Sequence, residues 1–367
     1  MNFALTEEQE ALRRQARQLM KQAATSAATR AAIDAHAFDV ALWTRMVDLG
    51  WTALLVPEEL GGLGLGFIEL AAVLEETGAA LACAPLFSTV CLATNVLLLA
   101  DGGAPQRQLL TEIAAGRLRA TVAFMAPPGR ELRARRDGAS NDVRLDGELP
   151  FVVDGDTAEL ILARATEADG AVGVYALAAN TAGLFRHARP TLDGTRRLAD
   201  LRCDDVRLPA AARLPGDGAA LVDRALARAR VALAAESLGG AERCLAMSVE
   251  YAKTRVQFSR AIGSFQAVKH RCADLLTLIE TARSAVNWAA FCAASDDPEL
   301  PVAASIAHSY VGEAYLRATA DTIQIHGGMG FTWEHDAHLY FRRARGSAEL
   351  LGDFASERER LAQKIGL

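Results

Sequence analysis

The spacing of apolar residues changes twice along the chain. From Thr6 to about Gly116 apolar residues recur at helical intervals, which predicts a series of helices. Between about Arg119 and Val206 short runs of β-forming residues alternate with Gly, Pro and Asp, a pattern typical of a small antiparallel β domain. The helical spacing then returns in three long stretches. These stretches are Ala219–Lys253, Gln266–Ala294 and Ala303–Ile325.

This order predicts an α+β fold with three domains. We expect an N-terminal helical domain over residues 1–117, a middle β domain over 118–213 and a C-terminal helical domain over 214–367. Long helices with short connections pack as antiparallel neighbours, so the last domain is expected to be a four-helix bundle.

Composition narrows the classes of function. The 367 residues are 51% hydrophobic, and the net charge of -6 comes without a basic run, which argues against a nucleic-acid partner. Six widely spaced cysteines without a CxxC pair are typical of reduced thiols rather than of disulfides or zinc. The most apolar run, Val90–Ala100, is shorter than the roughly 20 residues that span a bilayer. Since no signal peptide is apparent either, we expect a cytoplasmic protein without a membrane segment.

Three stretches contain the residues with candidate chemistry. They are Leu49–Gly62 continuing to Glu75 and Glu76, then Arg255–Gln266, and finally Gln324–Phe331 followed by Glu334 and Arg342. In this order and with these gaps they resemble the acyl-CoA dehydrogenase family over essentially the whole chain. The resemblance implies FAD as the cofactor, an acyl-CoA thioester as the substrate, an electron-transfer flavoprotein as the electron acceptor, and an oligomer.

Within these stretches six residues are candidates for binding FAD. A planar arginine fork suits a pyrophosphate, glycines admit a close approach of the backbone, and amide side chains suit an adenosine. The candidates are Arg255, Phe258, Gln266, Gln324, Gly327 and Gly328. The resemblance implies that residues at these positions bind the FAD of the neighbouring subunit. Taken singly, an arginine at a helix end is usually solvated, and paired glycines usually end a helix. We predict no metal site, because His335 and His338 are more simply explained as polar surface.

The positions of the catalytic base depart from the family. The family reaction needs a carboxylate to remove the α proton of the thioester while a hydride moves to the flavin. The resemblance places that base at Leu351, counted from Arg342, or at Ala229, directly before Arg230. Neither side chain can accept a proton.

The β domain departs from the family as well. Met125-Ala126-Pro127 stands where the family has a Thr-Glu-Pro turn along the flavin. Phe151-Val152-Val153 replaces a strand whose threonine bonds the flavin, and Val153 has no hydroxyl group. Residues that would serve the chain's own flavin are therefore altered, whereas those that would reach a partner's flavin are kept.

Three hypotheses follow from this pattern. The chain is the non-catalytic subunit of a heteromeric (α2β2) acyl-CoA dehydrogenase, a type that often acts on bulky acyl-CoAs, including steroid fragments. Alternatively, it is a homo-oligomeric dehydrogenase, a dimer or tetramer, with a relocated base such as Asp353, or else Glu349 or Glu236. The third alternative is a non-enzymatic protein that binds CoA thioesters.

Overall fold

The structure is a computed structural model that describes residues 5–100, 102–125, 129–137 and 142–367. The chain forms two compact units. One consists of residues 1–35, 66–83 and 230–367, and the other of residues 36–65 and 84–229.

The first part of the chain is helical, as predicted. Its α-helices are α1 (Glu7–Ala23), α2 (Ser26–Asp34), α3 (Val40–Asp48), α4 (Phe67–Ala79), α5 (Asn95–Leu99) and α6 (Ala104–Ala114), with a π-helical segment at Phe87–Thr94. Thr6 begins α1 with a capping box, in which its hydroxyl accepts the Gln9 N–H and the Gln9 side chain accepts the Thr6 N–H.

The middle part forms a sheet of seven strands among the described residues. The strands are β1 (Ala120–Ala123), β2 (Arg133–Arg136), β3 (Val143–Val153), β4 (Leu160–Thr166), β5 (Val172–Ala178), β6 (Leu184–Arg189) and β7 (Leu198–Leu208). Their order is β1-β4-β2-β3-β7-β6, with β5 paired to β4. Four pairs are antiparallel, while β4 runs parallel to β1 and β2. One face packs a core that includes Leu145, Ile161 and Leu201.

The last part is helical again. It comprises α7 (Gly218–Thr254), the hairpin strands β8 (Val256–Gln257) and β9 (Arg260–Ala261), α8 (Gln266–Ala294), α9 (Leu300–His326), α10 (Ala337–Glu349) and α11 (Phe354–Lys364). Helices α4 and α7 approach at two glycines. A Cβ added at Gly239 would lie 1.8 Å from the Glu75 carbonyl oxygen, and one at Gly78 would lie 1.9 Å from that of Glu236.

The predicted fold class is confirmed: a helical N-terminal part, a middle β domain and a helical C-terminal part. Strands β2 and β6 were not predicted, because Arg133–Arg136 and Leu184–Arg189 are rich in arginine and lack an alternating apolar pattern. Among the described residues no helix is long and apolar enough to cross a membrane.

Candidate functional site

The segment after α7 presents Arg255 and Phe258 to solvent. Strands β8 and β9 are joined by a two-residue turn, and both turn residues, Phe258 and Ser259, have positive φ angles of 52° and 61°. This conformation costs a non-glycine residue roughly 1–2 kcal/mol. It leaves the Phe258 side chain 87% exposed, with only an edge contact to the Phe265 ring at a centroid distance of 6.1 Å.

Helix α9 ends at the glycine pair. Gly327 caps the helix with φ 61° and ψ -142°, a conformation that favours glycine. Gly328 has no such backbone requirement. A Cβ added at either glycine would meet no described atom within 4 Å, so contacts with the described residues do not explain Gly328. The next turn exposes Phe331, which is 79% accessible.

Two side-chain contacts bring these segments together. The rings of Tyr251, at the end of α7, and His326, at the end of α9, stack with centroids 4.4 Å apart. An ion pair joins Arg271, near the start of α8, to Asp321, one turn before Gln324. The ends of α7 and α9 and the start of α8 therefore lie side by side, so the segments that contain the predicted cofactor residues are neighbours.

The polar members of this face find no partner in the part of the chain that the structure describes. Among the described residues, the side chains of Arg255, Gln266 and Gln324 form no hydrogen bond or ion pair, and all three are exposed. Gln266 is also the first residue of α8, whose preceding residue provides no side-chain cap. Free amide and guanidinium groups beside open backbone fit a phosphorylated dinucleotide such as FAD.

The sequence analysis did not single out His326 or Trp333, and it interpreted His338 as polar surface, whereas the packing of these rings against one another buries His338. His326 is buried, and its ring also lies 4.5 Å from the ring of His335. Trp333 stacks on His338 at 4.9 Å, and the guanidinium of Arg342 lies 5.7 Å from the Trp333 ring. Only the dense occurrence of His and Trp between residues 326 and 338 could have signalled this cluster. Within the described residues no group of His, Cys, Asp or Glu is arranged to hold a metal ion.

Leu351, the first of the two base positions, lies in a loop whose backbone carbonyl groups accept hydrogen bonds from buried side chains. Leu351 has φ 66°, and its carbonyl oxygen accepts hydrogen bonds from the Arg230 guanidinium at 2.9 and 3.1 Å. The neighbouring Gly352 carbonyl oxygen lies 2.9 Å from His308 Nε2. Burial lowers the pKa of His308. Its Nε2 donates to this carbonyl, because a carbonyl oxygen can only accept.

Arg230 is itself part of a buried ion pair. Its Nη2 lies 2.9 Å from Glu357 Oε1, and Glu357 is fully buried. Ser305 donates a hydrogen bond of 3.2 Å to the other carboxylate oxygen of Glu357. Ala229, the second position for a base, is a buried aliphatic residue of α7. Arg230 therefore binds the Leu351–Gly352 loop and Glu357.

The alternative base Asp353 is the N-cap of α11. Its carboxylate accepts the N–H groups of Ala355 and Ser356 at 3.0 Å and the Ser356 hydroxyl at 2.5 Å. The Ser356 hydroxyl and these N–H groups lower the pKa of Asp353. A general base benefits from a pKa near the working pH, so this arrangement does not favour proton abstraction by Asp353.

The other two candidate bases are differently placed. Glu236 is buried and accepts a hydrogen bond of 3.1 Å from Arg343, in a second buried ion pair. Glu349 is exposed in the last turn of α10. Glu236 is thus neutralised by an ion pair and Glu349 is exposed to solvent, so neither is a carboxylate held free in a buried site.

The β domain has an aliphatic residue where the family threonine would be. Val153 ends β3 with a buried side chain, and its carbonyl oxygen accepts the Thr121 hydroxyl at 2.6 Å. Phe151 adopts φ 56° and lies under the Arg189 guanidinium at 4.5 Å. Of the Met125-Ala126-Pro127 segment only Met125 is described, and it is exposed. Ala126 and Pro127 lie outside the described residues.

Fold and residue pattern together define a class, the flavin-dependent oxidoreductases that act on acyl-CoA. Residues 6–117 match the family model described as acyl-CoA dehydrogenase, N-terminal domain, and residues 216–366 match the model for the C-terminal domain. The chain belongs to the acyl-CoA dehydrogenase family, whose members depend on FAD.

Relatives match the chain over nearly its full length. Acyl-CoA dehydrogenase IpdE2 from Mycolicibacterium smegmatis is 35% identical over 363 residues, which cover 98% of this chain and 100% of that protein. A chain of the ChsE4-ChsE5 complex from Mycobacterium tuberculosis superposes with a TM-score of 0.92 at 29% identity, covering 100% of this chain and 99% of its own. A chain of the Tcur3481-Tcur3483 steroid ACAD superposes with a TM-score of 0.88 at 32% identity, covering 98% of each.

Proposed function

We propose that this chain is the non-catalytic subunit of a heteromeric acyl-CoA dehydrogenase and completes the FAD site of a catalytic partner. The observation that carries this proposal is the open face around Gly328. There, Arg255, Gln266 and Gln324 have no partner among the described residues, and none of those residues fills the space beside the glycines. A face that is polar, open and flanked by the exposed Phe258 fits a ligand shared with another subunit.

The same proposal is supported by the residues at the positions where a catalytic subunit would contact its own flavin or remove the substrate proton. Leu351 and Ala229 cannot accept a proton, and Val153 has no hydroxyl group to donate. The Leu351–Gly352 loop is fixed by Arg230 and His308, which act on its backbone rather than on an acidic side chain. These interactions maintain the shape of the loop without providing a base.

Two of the similar structures contain pairs of different chains, ChsE4 with ChsE5 and Tcur3481 with Tcur3483, and the second pair is a steroid ACAD. By analogy we propose an α2β2 assembly that acts on a bulky acyl-CoA such as a steroid fragment, with an electron-transfer flavoprotein as acceptor. The domain boundaries at residues 117 and 213 and a cytoplasmic location remain predictions from the sequence.

Flavin content tests the proposal directly. The chain is expressed alone and together with an acyl-CoA dehydrogenase chain of the same genome that has Glu at the position equivalent to Leu351 or Ala229. We expect flavin absorbance only in the co-purified complex, bleached by its acyl-CoA. Gly328→Val is expected to remove most of the flavin without changing the thermal midpoint of this chain alone, because the new side chain enters open space.

Arg255→Gln is expected to lower the flavin content of the complex in the same way. Arg107→Gln is the matched control, because Arg107 is an exposed arginine of α6 whose side chain has no partner among the described residues. If the chain alone is yellow and bleached by an acyl-CoA, the partner role is excluded and the homo-oligomeric alternative gains support. Colourless samples in both cases would support the CoA-thioester-binding protein.

A further inference from the structure

A cavity among the helices lies apart from the residues considered so far for FAD and for the base. It has a volume of about 610 Å³ and is lined by residues of α1, α2, α4, α7 and α10. All of these residues belong to the compact unit formed by residues 1–35, 66–83 and 230–367. Glu75 and Glu76, which the sequence analysis singled out without a role, are among them.

The carboxylate of Glu75 lines this cavity without a hydrogen bond. The residue is only 9% exposed, and its side chain accepts no hydrogen bond from another described residue. Its ion pair is a contact of 3.5 Å between Oε2 and Arg283 Nη1. The adjacent Glu76, by contrast, accepts hydrogen bonds of 2.7 to 3.1 Å from Arg17. A buried carboxylate without donors is unfavourable unless a further positive charge stabilises it.

The acids beside Glu75 share a single arginine. Arg283 pairs with Glu75, Glu242 and Glu280, so one guanidinium serves three carboxylates. Burial and the charge of Glu242 raise the pKa of Glu75 to about 7, although the charges of Arg283 and Arg13 oppose this rise. Burial raises the pKa of Glu242 as well. Because Glu75 and Glu242 both line the cavity, a cation inside it would be attracted by both.

The exposed rim of the cavity carries the opposite charge. Lys21 and Arg243 line the cavity and are exposed, and the Lys21 ammonium forms no ion pair or hydrogen bond with a described residue. The wall also includes the buried apolar side chains of Met20, Leu81 and Leu339. A ligand that matches this lining has a cationic end, an alkyl chain and an anionic end. A metal ion does not match it, because no group of His, Cys, Asp or Glu in the described part of the chain is arranged to hold one.

We propose that this cavity binds a small aliphatic amino acid whose ammonium and carboxylate groups are separated by several methylene groups. The ammonium lies beside Glu75 and Glu242, where it adds a second cation for the carboxylates that share Arg283. The alkyl chain contacts the apolar wall, and the carboxylate is bound by Lys21 and Arg243 at the rim. Charge-assisted hydrogen bonds at both ends favour such a ligand over one that has a single charge. The inference goes beyond the role in a flavin site and does not depend on it.

Calorimetry on the full-length chain tests the assignment with 4-aminobutyrate, 6-aminohexanoate and 8-aminooctanoate, which differ in the separation of their charges. Hexylamine and hexanoate each lack one of the two charges of 6-aminohexanoate. We expect the best of the three amino acids to bind on the order of tenfold more tightly than either of them. Its affinity should increase about tenfold between pH 6 and pH 8, because the ammonium binds the ionised form of Glu75, whose pKa is about 7.

Two variants separate the ends of the site. Glu75→Gln is expected to weaken binding of the amino acid on the order of tenfold at pH 8 and to abolish the increase with pH. Glu280→Gln is the matched control, because Glu280 also pairs with Arg283 but is exposed and does not line the cavity. Lys21→Met should weaken binding of the amino acid but not of hexylamine. Lys253→Met, at an exposed lysine of α7 outside the cavity, should weaken neither.

The proposal is overturned if none of the three amino acids binds, or if Glu280→Gln weakens binding as much as Glu75→Gln. Hexanoate that binds as tightly as the amino acids would make the cavity a simple anion site. Equally tight hexylamine would show that Lys21 and Arg243 bind no carboxylate, and either result contradicts the assignment. Glu75→Gln should leave the flavin content of the co-purified complex unchanged, whereas Arg255→Gln should lower flavin but not affinity for the amino acid. The two proposals can therefore fail separately.

Discussion

At the scale of single residues, the region of the missing base is organised around Arg230. The family resemblance identified Arg230 as the arginine that directly follows the base position Ala229, but the buried partner Glu357 could not be identified from sequence. Glu357 lies in α11, more than 120 positions after Arg230 in the sequence. Its sequence neighbours are charged like those of Glu359, which is exposed, so the sequence does not distinguish the buried acid from the exposed one. Only the packing of the helices shows that it is fully buried against Arg230.

Breaking this ion pair is expected to destabilise the chain strongly. Glu357→Gln leaves the Arg230 guanidinium buried without a counter-charge, which costs about 3–5 kcal/mol when one partner of a buried pair is removed. Glu313→Gln is the control. Glu313 of α9 pairs on the surface with Arg358 of α11, the helix that contains Glu357, and such exposed pairs contribute about 0–1 kcal/mol. Urea unfolding measures both, and equal costs would show that Glu357 is not a buried partner.

A second residue-scale prediction concerns Glu75, a buried carboxylate of α4. Burial and the neighbouring Glu242 raise the pKa of Glu75 to about 7, against the opposing charge of Arg283 at 3.5 Å. A raised folded-state pKa gives a stabilising contribution that is complete below the unfolded value near 4.5 and is lost as pH rises through 7.

Glu75→Gln mimics the protonated carboxylate and should therefore remove that loss. We expect the free energy of unfolding of the variant to match that of the wild type near pH 5 and to exceed it near pH 8 by roughly 1–3 kcal/mol. Thermal unfolding at both pH values measures the difference. Glu280→Gln, an exposed acid beside the same Arg283, should show no such pH-dependent gain. A constant difference across this pH range would refute the prediction.

At the scale of elements, the sequence was most informative for the long helices. The predicted stretch Gln266–Ala294 coincides with α8, and the predicted Ala219–Lys253 differs from α7 by one residue at each end. These two helices were predicted well because their apolar residues recur at helical spacing from one end to the other. Strand β2 was missed because its arginines point to a groove rather than to the core, so the pattern that signals a strand is absent.

The close contact of α4 and α7 gives a prediction in which packing opposes helix propensity. In an exposed helix interior, Gly→Ala gains about 1 kcal/mol. Gly239→Ala should instead destabilise by about 1–3 kcal/mol, because its Cβ would overlap the Glu75 carbonyl oxygen unless the helices move apart. Gly346→Ala, at an exposed position of α10, is the control and should stabilise the chain. A Gly239→Ala variant that is also more stable than the wild type would contradict the observed approach.

At the scale of the whole molecule, the order of helical, β and helical parts could be predicted because each has its own apolar period. The segments that contain the predicted cofactor residues are neighbours, but the contacts that join these segments could not be predicted from sequence. The Tyr251–His326 stack and the Arg271–Asp321 pair join residues distant in sequence, and either pair alone has no distinguishing pattern. The parallel pairing of β4 likewise depends on tertiary packing that a strand's own residues do not encode.

The last prediction concerns how many flavins the assembled protein holds. In the proposed function, the face around Gly328 offers donors to a flavin of another chain, whereas Val153, Leu351 and Ala229 lack the groups that would serve a flavin of this chain. A complex with a catalytic partner should therefore contain half as many flavins as polypeptide chains. The measurement is the flavin absorbance of the denatured complex against its total protein, with the chain ratio taken from stained gels. One flavin for every chain would mean that this subunit assembles its own cofactor site, and the departures at these three positions would then need a different explanation.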